Sequence, residues 1–302
     1  MGRGARVASA TDPRQRVSSV TVTYDSGAVI GDCLASLGDV GTVIVVDNAS
    51  TDSTLEAVQA ARPDAAVVKI NENIGFGPAA NEGLSRVTSE FALLINPDAA
   101  LSPEALKLLL AAADRWPKAA VLAPVLVNAR GEIERTHNAS LIERETMPRK
   151  RSDPLPEGDL CASFLSGAVM LLRKRALDEI GGFDPAIFLF YDDDDLCLRL
   201  RQAGWSLVLV ADAFAHHAVG ESNLWNWDSH WRKFWNMGWS RLYFEEKHRG
   251  TKAMVKAAAR ELGRHALKLP ADLVMCDRVK LTRNWARICG GVAYLLGFRA
   301  RA

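Results

Sequence analysis

A repeated alternation of short apolar runs with helical segments, between residues 20 and 116, constrains the fold of this chain more than any other feature. The run at residues 42–46 is apolar along almost its whole length, which is typical of a strand covered by helices on both faces. Similar runs lie at residues 20–24, 66–70 and 91–95, and a helical pattern follows each of them. The sequence therefore predicts an α/β fold with a doubly wound, mostly parallel sheet.

Polar residues stand where these four strands end. In doubly wound sheets, ligands bind outside the carboxyl ends of the strands, so this edge is the predicted binding site. Carboxylates at Asp47 and Asp52 can accept hydrogen bonds from a base or a ribose, and Asp98 can hold a Mg²⁺ or Mn²⁺ ion that bridges a diphosphate. The structural alternatives are that Asp52 or Ser53 caps the next helix and that Asp98 belongs to an Asx turn.

A glycine-containing segment follows the third strand. Gly75 and Gly77 permit close backbone approach, and the N-terminus of the helix that follows can face a phosphate. The same segment resembles a dinucleotide fingerprint, with Asp98 about 20 residues further on, which leaves an NAD-linked oxidoreductase as an alternative. That fingerprint belongs after the first strand of its unit, whereas this one follows the third strand.

Four consecutive aspartates, residues 192–195, open a predicted helix. Adjacent carboxylates repel one another, so the helix N-terminus, a cation or a raised pKa has to compensate. Because consecutive helical residues point in different directions, only one or two of the four can face a common site. One of them is predicted to serve as general base for a hydroxyl nucleophile, and a charged helix start or an adventitious calcium site is the alternative. Farther along, His216 or His217 can complete a metal shell, and Ser222 can meet a phosphate.

Composition excludes several classes of protein. The formal net charge is +1, which argues against a globally basic nucleic-acid binder. The five cysteines are widely spaced and contain no Cys-x-x-Cys pair, which favours a reducing compartment. No signal peptide and no apolar run of about 18 residues is found, so neither secretion nor a membrane-spanning helix is expected.

Taken together, these segments resemble the family 2 glycosyltransferases, whose GT-A fold is a Rossmann-like doubly wound sheet. They are most similar to the bacterial rhamnosyltransferase-like branch that builds surface polysaccharides. The matching motifs, in chain order, are Val-Thr-Tyr at 22–24, Val-Asp-Asn-Ala-Ser-Thr-Asp at 46–52, Asn-x-Gly-Phe-Gly-x-Ala-x-Asn at 73–81, Asn-Pro-Asp at 96–98, Phe-Leu-Ser-Gly-Ala at 164–168, Gly-Gly-Phe-Asp at 181–184 and the acidic run with Leu-Cys-Leu-Arg-Leu at 196–200.

The resemblance implies an inverting, metal-dependent transfer from a dTDP- or UDP-linked sugar to a saccharide or lipid-linked acceptor. Asp193 would be the base, with Asp192, which replaces the family's usual Glu, as the alternative. Asp98 and His217 would hold Mg²⁺ or Mn²⁺. The implied nucleotide-binding residues are Thr23, Tyr24, Asp47, Asn48, Asp52, Asn73, Gly75, Asn81 and Asn96. The residues expected on the acceptor side are Ser166, Gly167, Asp195, Ser222 and Trp227.

The predicted organisation is a flexible tail over residues 1–16, a catalytic domain over 17–222 and a helical region over 223–302. Within the catalytic domain, residues 17–127 form the nucleotide-binding half and 128–222 the acceptor half.

The helical region carries two periodic patterns. Trp227, Trp231, Trp235 and Trp239 recur every four residues. This spacing indicates core packing against the sheet domain, or else an acceptor-side wall or a belt at a membrane interface. Residues 251–302 contain 11 Lys and Arg against 3 Asp and Glu, and four of the basic residues follow the same spacing: Lys252, Lys256, Arg260 and Arg264. This second pattern is that of a basic amphipathic helix on anionic lipid, or of an ordinary solvated helix face.

The prediction is therefore a cytoplasmic sugar transferase that contacts the inner face of the plasma membrane through its basic C-terminal region and acts in polysaccharide synthesis. A nucleotide-sugar-binding protein with degraded catalysis is the second interpretation.

Overall fold

The computed structural model describes residues 12–38, 40–134, 137–138, 157–218 and 226–300. In these residues the strands are β1 (Val17–Thr23), β2 (Val43–Asp47), β3 (Ala66–Lys69), β4 (Phe91–Ile95), β5 (Ala99–Leu101), β6 (Ala119–Val127), β7 (Ile133–Glu134), β8 (His137–Asn138), β9 (Leu160–Ala162), β10 (Phe164–Leu165), β11 (Val169–Arg173) and β12 (Ser206–His217). The helices are α1 (Pro13–Arg16), α2 (Ile30–Ser36), α3 (Thr54–Ala61), α4 (Phe76–Leu84), α5 (Pro103–Arg115), α6 (Lys174–Ile180), α7 (Asp192–Gln202), α8 (Trp227–Arg249), α9 (Thr251–Ala266), α10 (Leu269–Val274) and α11 (Arg278–Leu295).

One large sheet runs through the described part of the chain, in the order β3-β2-β1-β4-β11-β6-β12-β5, with β7 beside β6 and β9 beside β12. The pairs β1–β2, β2–β3, β1–β4 and β6–β12 are parallel, whereas β11 lies antiparallel between β4 and β6. The chain moves outward from β1 to β3 and then returns to β4 on the other side of β1. The carboxyl ends of β1 and β4 therefore flank a crevice, and the predicted doubly wound, mostly parallel sheet is confirmed.

Both faces of the sheet are buried. Along β4, Phe91, Leu93 and Ile95 belong to the core on one face, and Ala92 and Leu94 belong to the core on the other. Helices α2, α3 and α5 cover the first face, and α4, α6 and α7 cover the second. Because side chains alternate across a strand, a strand between two such layers needs apolar side chains at nearly every position.

The sequence pattern does not predict β6, although this strand lies inside the sheet. Its run contains Pro124, which has no backbone N–H to donate and argues against an interior strand. The neighbouring strand β12 shifts its register between Val210 and Phe214, opposite Pro124 and Val125. The apolar run at residues 206–210 predicts a strand that ends at residue 210. The irregularity bends β12 at the proline, and the strand continues to His217.

Two predicted boundaries differ from the structure. The sequence pattern predicts a strand over residues 166–172. In the structure this strand begins at Val169, because Gly167 and Ala168 form a turn. At the N-terminus, residues 1–11 lie outside the described residues, but Arg16 is not part of a loose tail. Its guanidinium pairs with Glu90 at 2.9 Å and with Asp114 at 2.7 Å, so the ordered domain begins before residue 17.

The C-terminal region is helical, as predicted, and its two longest helices pack in close contact. A Cβ atom added to Gly238 on α8 would lie 2.3 Å from the Arg287 carbonyl oxygen on α11, and one added to Gly290 would lie 1.9 Å from the Trp235 carbonyl oxygen. Only residues without a side chain fit at these two crossing points. α8 is also tied to the sheet domain, because Ser240 Oγ donates a hydrogen bond to the Leu189 carbonyl at 3.0 Å.

The tryptophan stripe contributes to packing at its C-terminal end. Trp239 is buried and stacks on Tyr243 at a centroid distance of 5.2 Å, with Tyr294 at the same distance edge-on. Trp227, at the opposite end of the stripe, is exposed. The core interpretation is therefore confirmed for Trp239, but its neighbours belong to the helical region rather than to the sheet domain.

The apolar side of α9 also faces the helical bundle. Met254, Ala257 and Ala258 are buried together with Leu242 of α8, so this part of the apolar face is covered by protein, whereas Val255 is exposed. Among the described residues, no helix combines the length and the hydropathy that crossing a bilayer requires.

Candidate functional site

A cavity of about 790 Å³ opens at the carboxyl edge of the parallel strands. It is lined by the loops after β1, β2, β3 and β4, by residues 188–190 before α7, and by the first turns of α8. The predicted nucleotide-binding residues that line it are Tyr24, Asn48, Asp52, Asn73, Gly75 and Asn96. The crevice expected from the sheet topology thus coincides with most of the predicted binding residues.

Three of the predicted nucleotide-binding residues do not line this cavity. Thr23 is fully buried within β1, and Asp47 is buried at the end of β2, where its Oδ1 accepts a hydrogen bond from the Ser50 backbone N–H at 3.1 Å. Asn81 lies on α4 and exchanges two 2.8 Å hydrogen bonds with the backbone of Phe183. The structure therefore corrects the prediction for Asn81, whose amide joins α4 to the loop before α7.

Asn48 organises the loops at the centre of the cavity wall. Its Nδ2 donates to Asn73 Oδ1 at 3.0 Å and to the Gly75 carbonyl at 3.2 Å, and its Oδ1 accepts from the Ile74 N–H at 3.0 Å. An amide can act as donor and acceptor at once, which a carboxylate cannot do. Asn48 therefore fixes the third loop against the second and holds their polar groups at the cavity.

Asp52 makes hydrogen bonds of the kind that the capping alternative predicts. Its Oδ1 accepts from the backbone N–H of Thr54 at 3.0 Å and from the Thr54 hydroxyl, and its Oδ2 accepts from the Gly27 N–H at 3.0 Å. Partial burial alone would raise the pKa of Asp52, but the hydrogen bonds from Thr54 and Gly27 lower it. Asp52 therefore lies at the cavity as a carboxylate that stabilises the start of α3.

Gly75 joins the nucleotide-binding half to the acidic segment. Its φ of 94° is in the left-handed region, and an added Cβ atom would lie 2.3 Å from the Phe188 carbonyl oxygen. The next residue, Phe76, donates its N–H to that same carbonyl at 2.9 Å. A side chain at position 75 would push away the segment that leads into the four aspartates.

The two residues before the acidic run have an unusual backbone. Phe190 and Tyr191 have φ values of 64° and 67°, a conformation that side chains with a Cβ atom rarely adopt. Consecutive strained residues persist only where the surrounding structure holds them, and such residues cluster at functional sites. Here the left-handed conformation of these two residues turns the chain sharply from the cavity wall into the first turn of α7.

The four aspartates differ in burial and in their partners. Asp193 is half-buried, and its Oδ2 accepts the N–H of Gly167 at 3.2 Å. Asp192 and Asp194 are buried. Burial and the neighbouring charge of Asp193 raise the pKa of Asp192 well above its usual range.

Asp195 is fully enclosed and does not reach a substrate. Its Oδ2 pairs with Arg199 at 2.7 Å, while its Oδ1 lies 2.6 Å from Lys247 Nζ and 2.7 Å from His248 Nε2. Burial alone would raise the pKa of Asp195, but the hydrogen bonds from His248 and Lys247 and the charge of Arg199 lower it to about 2. The predicted acceptor-side role is replaced by a structural one, in which Asp195 attaches α7 to α8.

Of the predicted metal ligands, the structure brings Asp98 and His217 close together, but not His216. His217 Nε2 lies 3.5 Å from Asp98 Oδ1, whereas His216 is exposed on the opposite side of β12 because side chains alternate along a strand. Glu134 of β7, which the sequence analysis does not single out, lies 3.1 Å from His217 Nδ1. Burial would lower the pKa of His217, but the carboxylates of Asp98 and Glu134 raise it.

These residues fit a divalent cation of the kind that a diphosphate carries. Asp98 Oδ1 is buried and accepts no hydrogen bond from the described residues. The described side chains provide no group of three or more ligands around a common point. Mg²⁺ and Mn²⁺ sites of phosphate-binding enzymes often use one or two carboxylates and complete their shell with substrate phosphates and water, and the pair Asp98 and His217 is compatible with a site of that kind.

The sites of Asp98 and Asp193 border the same cavity through their neighbours in the chain, although neither carboxylate lines it. Asn96 and Pro97, just before Asp98, line the cavity, and so do residues 188–190, just before the acidic run. A hydrogen bond of 2.8 Å from the Asn96 N–H to the Ala168 carbonyl places β4 beside the turn that contacts Asp193. Ser166 is half-buried and precedes this turn, and Ser222 lies outside the described residues.

A basic wall on α8 completes the cavity and was not predicted from the sequence. His230, Arg232 and Lys233 line it opposite the strand ends, and Arg232 Nη1 lies 3.5 Å from the Tyr24 hydroxyl. Lys233 Nζ lies 5.9 Å from the centre of the Phe190 ring. The local signal is the Arg-Lys pair beside Trp231, but the tryptophan spacing alone does not show which side of the helix meets the sheet domain.

Comparison with known proteins assigns the class. The chain belongs to glycosyltransferase family 2, because the family model described as glycosyltransferase like family 2 matches residues 13–236. It is 28% identical over 295 residues to the N-acetylglucosaminyl-diphospho-decaprenol L-rhamnosyltransferase of Mycobacterium tuberculosis, covering 83% of this chain and 96% of that protein. It is also 38% identical over 63 residues to the rhamnosyltransferase WbbL of Escherichia coli, which is 20% of this chain and 24% of WbbL.

Solved structures support the GT-A fold. S. aureus TarS 1-349 in complex with UDP superimposes with a TM-score of 0.52 at 18% identity, over 93% of this chain and 92% of that one. The mannosyltransferase PcManGT from Pyrobaculum calidifontis, in complex with GDP-Man and Mn²⁺, gives 0.53 at 19% identity, over 93% and 87%. The fingerprint-like segment at Gly75 therefore belongs to a glycosyltransferase fold, and the oxidoreductase interpretation loses its basis.

Proposed function

We propose that this protein transfers a sugar, with inversion, from a nucleotide-diphosphate donor to a lipid-linked saccharide acceptor in the synthesis of a cell-surface polysaccharide. The observation that carries the proposal is the cavity at the strand ends, whose walls lead directly to Asp98 on one side and to Asp193 on the other. The mycobacterial relative acts, by its name, on a diphospho-decaprenol acceptor with rhamnose, so a dTDP- or UDP-linked deoxyhexose is the first donor to test.

The nucleoside is expected to lie between the loops organised by Asn48 and the basic wall on α8. Tyr24 and Asn73 present a ring and an amide to a base or ribose, and Arg232 and Lys233 present positive charge to phosphates. Guanidinium and ammonium groups recognise phosphate through charge-assisted hydrogen bonds. This arrangement accounts for a preference for nucleoside diphosphates over uncharged ligands.

Asp193 is the proposed general base. The acceptor hydroxyl gives its proton to the Asp193 carboxylate while its oxygen bonds to the anomeric carbon, and the bond from that carbon to the diphosphate oxygen breaks on the opposite face. The Gly167 N–H holds Oδ2 of Asp193 at 3.2 Å and so fixes the carboxylate. Asp193 is half-buried whereas Asp192 is buried, which favours Asp193 as the member of the pair that contacts a substrate.

Asp98 and His217 are the proposed holders of Mg²⁺ or Mn²⁺. When bound, the cation would offset the negative charge on the departing diphosphate. Among the chain's own groups, Asp98 contributes the buried Oδ1 and His217 contributes Nε2, with Glu134 orienting the imidazole through Nδ1. We therefore propose inversion at the anomeric carbon, dependence on a divalent metal, and a uracil or thymine base in the nucleotide donor.

A thermal-shift screen of nucleotide sugars, with and without Mn²⁺, tests donor binding. A ligand that binds only the folded protein raises its apparent stability, by about 2.7 kcal/mol at a hundredfold excess over Kd. We expect a larger shift with a dTDP- or UDP-sugar in the presence of Mn²⁺ than with Mn²⁺ or nucleotide alone. Absence of any shift with all UDP-, dTDP- and GDP-linked sugars would contradict the proposed donor site.

The two adjacent histidines supply a matched pair for the metal part of that screen. His217→Ala is expected to remove the Mn²⁺-dependent part of the shift, whereas His216→Ala, on the exposed side of β12, is expected to keep it. Equal behaviour of the two variants would rule out His217 as a ligand.

A further inference from the structure

Helix α10 has its polar and apolar residues in the reverse of the usual arrangement. Its buried residue is Asp272, whereas Leu273 and Val274 are 65% and 84% exposed. Two flanking residues continue this surface, since Leu267 is 83% exposed and Met275 is 72% exposed. We call Leu267, Leu273, Val274 and Met275 the α10 patch. An exposed apolar patch of this kind marks a protein or membrane interaction site.

The patch faces outward because three buried, hydrogen-bonded polar side chains fix α10 against the bundle. Asn284 Nδ2 on α11 donates to Asp272 Oδ2 at 2.5 Å, and His265 Nδ1 on α9 lies 2.7 Å from Asn284 Oδ1. All three side chains are buried. These hydrogen bonds hold the polar side of α10 against the bundle, so its apolar side chains cannot turn inward without leaving Asp272 and Asn284 unsatisfied.

Positive charge surrounds the patch. Lys268, Arg278 and Lys280 are exposed next to it, and residues 251–302 contain 11 Lys and Arg against 3 Asp and Glu. Of those three acidic residues, Asp272 is buried beneath the patch, and Asp277 pairs with Lys280 at 2.7 Å. The surface presented to an approaching partner is therefore apolar at its centre and basic at its rim, which complements anionic lipid headgroups above an acyl layer.

We propose that the α10 patch inserts into the surface of an anionic lipid bilayer. This surface differs from the one that the sequence analysis indicates, in which α9 lies flat on lipid. Met254, Ala257 and Ala258 of α9 are buried with Leu242 of α8. The lysines and arginines of α9 face outward, and its largest exposed apolar side chain is Val255. α9 therefore contributes charge, and α10 contributes the inserted side chains.

The patch lies beside the candidate active site. His230 lines the cavity, and its Nε2 lies 3.2 Å from the carbonyl oxygen of Val279, four residues after Met275. A bilayer that holds the α10 patch would thus lie next to the cavity. The consequence that a lipid-linked acceptor reaches the cavity from the membrane plane rests on the proposed function, whereas lipid docking itself does not.

Vesicle sedimentation with the full chain tests this proposal. We expect binding to phosphatidylcholine vesicles that contain phosphatidylglycerol and little binding to phosphatidylcholine alone. The triple variant Leu273→Ser, Val274→Ser and Met275→Ser is expected to weaken binding to the anionic vesicles by about tenfold or more. All three side chains are exposed, so the fold is expected to be retained, with an unchanged melting temperature as the check.

Leu296→Ser is the matched control. Leu296 is 68% exposed and follows α11, so the 18 residues of that helix place it about 27 Å from the patch at 1.5 Å per residue. We expect this variant to bind vesicles like the unaltered protein. Equal loss in Leu296→Ser and in the triple variant would overturn the assignment to α10.

A fluorophore supplies an independent readout of insertion. Cys276 and Cys161 are both exposed, and Cys161 lies on β9 in the sheet domain. With Cys289→Ser in both proteins, one variant retains Cys276 as its exposed cysteine and the other retains Cys161. An environment-sensitive dye at Cys276 is expected to shift to the blue with anionic vesicles, while the dye at Cys161 is expected not to shift.

Three results would contradict the proposal: no vesicle binding by the full chain, undiminished binding by the triple variant, or a Cys276 dye that stays in water. If the patch instead joins two copies of this chain, sedimentation velocity would show a dimer that the triple variant dissociates, without vesicle binding. Nucleotide-sugar binding by the triple variant, measured in the thermal-shift screen, separates a failure of docking from a failure of the proposed donor site.

Discussion

Asp193→Asn is expected to lower the rate of sugar transfer by about 10²–10⁴-fold, the range that general-base catalysis contributes. The side-chain amide of asparagine has the size of the carboxylate and keeps one oxygen that can accept a hydrogen bond, so the hydrogen bond from the Gly167 N–H can persist. The amide cannot take up the proton of the substrate hydroxyl. The measurement is the initial rate of transfer at saturating donor, together with the Kd of the nucleotide sugar, which is expected to stay within about twofold because donor binding does not use the base.

Asp192→Asn is the control for the assignment of the base. Asp192 is buried and its pKa is raised by burial and by the charge of Asp193, so a neutral amide at position 192 replaces a group that tends to be protonated. We expect this variant to lose much less activity than Asp193→Asn. The reverse order of the two rates would assign the base to Asp192 and refute the role proposed for Asp193.

Asp195→Asn is expected to destabilise the protein by about 3–5 kcal/mol, the usual effect of removing one partner from a buried ion pair. Asp195 is completely enclosed, and its loss leaves Arg199, Lys247 and His248 without the carboxylate that they share. The free energy of unfolding in urea measures the effect. Asp178→Asn is the control, because the exposed pair of Asp178 with Lys174 is worth at most about 1 kcal/mol.

The destabilisation in Asp195→Asn should depend on pH with a defined sign. The folded pKa of Asp195 is lowered to about 2, below its unfolded value of about 3.9, so its contribution is fully present above that unfolded value. It is lost as the pH falls from about 4 to 2. The gap in unfolding free energy between the unaltered protein and the variant should therefore narrow over this range. A gap that is constant down to pH 2 would show that the ion pairs are not its cause.

Much of the fold follows from the sequence because its signals are local. The apolar run at residues 42–46 and the capped start of α5 at Ser102 each depend on residues close together in the chain. The strand β6 does not follow, since Pro124 argues against an interior strand until the irregularity in β12 opposite it is known. Local pattern and tertiary context disagree at this one position, and the tertiary pairing determines the outcome.

In the candidate site, too, some residues can be predicted from the sequence and others depend on tertiary contacts. Residues at the strand ends, such as Asn48 and Asn96, follow from the rule that ligands bind at the carboxyl edge, and the motif resemblance adds the acidic run. Which aspartate is enclosed does not follow from the sequence, because the partners of Asp195 lie on α8, more than fifty residues away. Glu134 and His217 are likewise 83 residues apart in the chain, so the sequence gives no sign of their contact. These contacts depend on how elements pack, which spacing along the chain does not encode.

The sequence does not predict the basic wall on α8 or the α10 patch, because both depend on which side of a helix other elements cover. Periodicity identifies the face of an amphipathic helix but not what covers that face. On α9 the apolar side packs against α8, whereas on α10 the apolar side remains exposed and Asp272 is buried. The usual expectation that apolar residues lie inside is correct for the first helix and wrong for the second.

The proposed function depends most directly on the transfer of a sugar to an acceptor. The decisive measurement is mass spectrometry of a polyprenyl-diphosphate-linked N-acetylglucosamine after incubation with the protein, Mn²⁺ and dTDP-rhamnose, or UDP- and GDP-linked sugars in turn. The proposed function predicts that the acceptor gains one sugar residue from at least one donor, and that Asp193→Asn lowers the initial rate of this gain by about 10²–10⁴-fold. An acceptor of unchanged mass with every donor, from a protein that still binds nucleotide sugar, would contradict it and would identify a binding protein without catalysis.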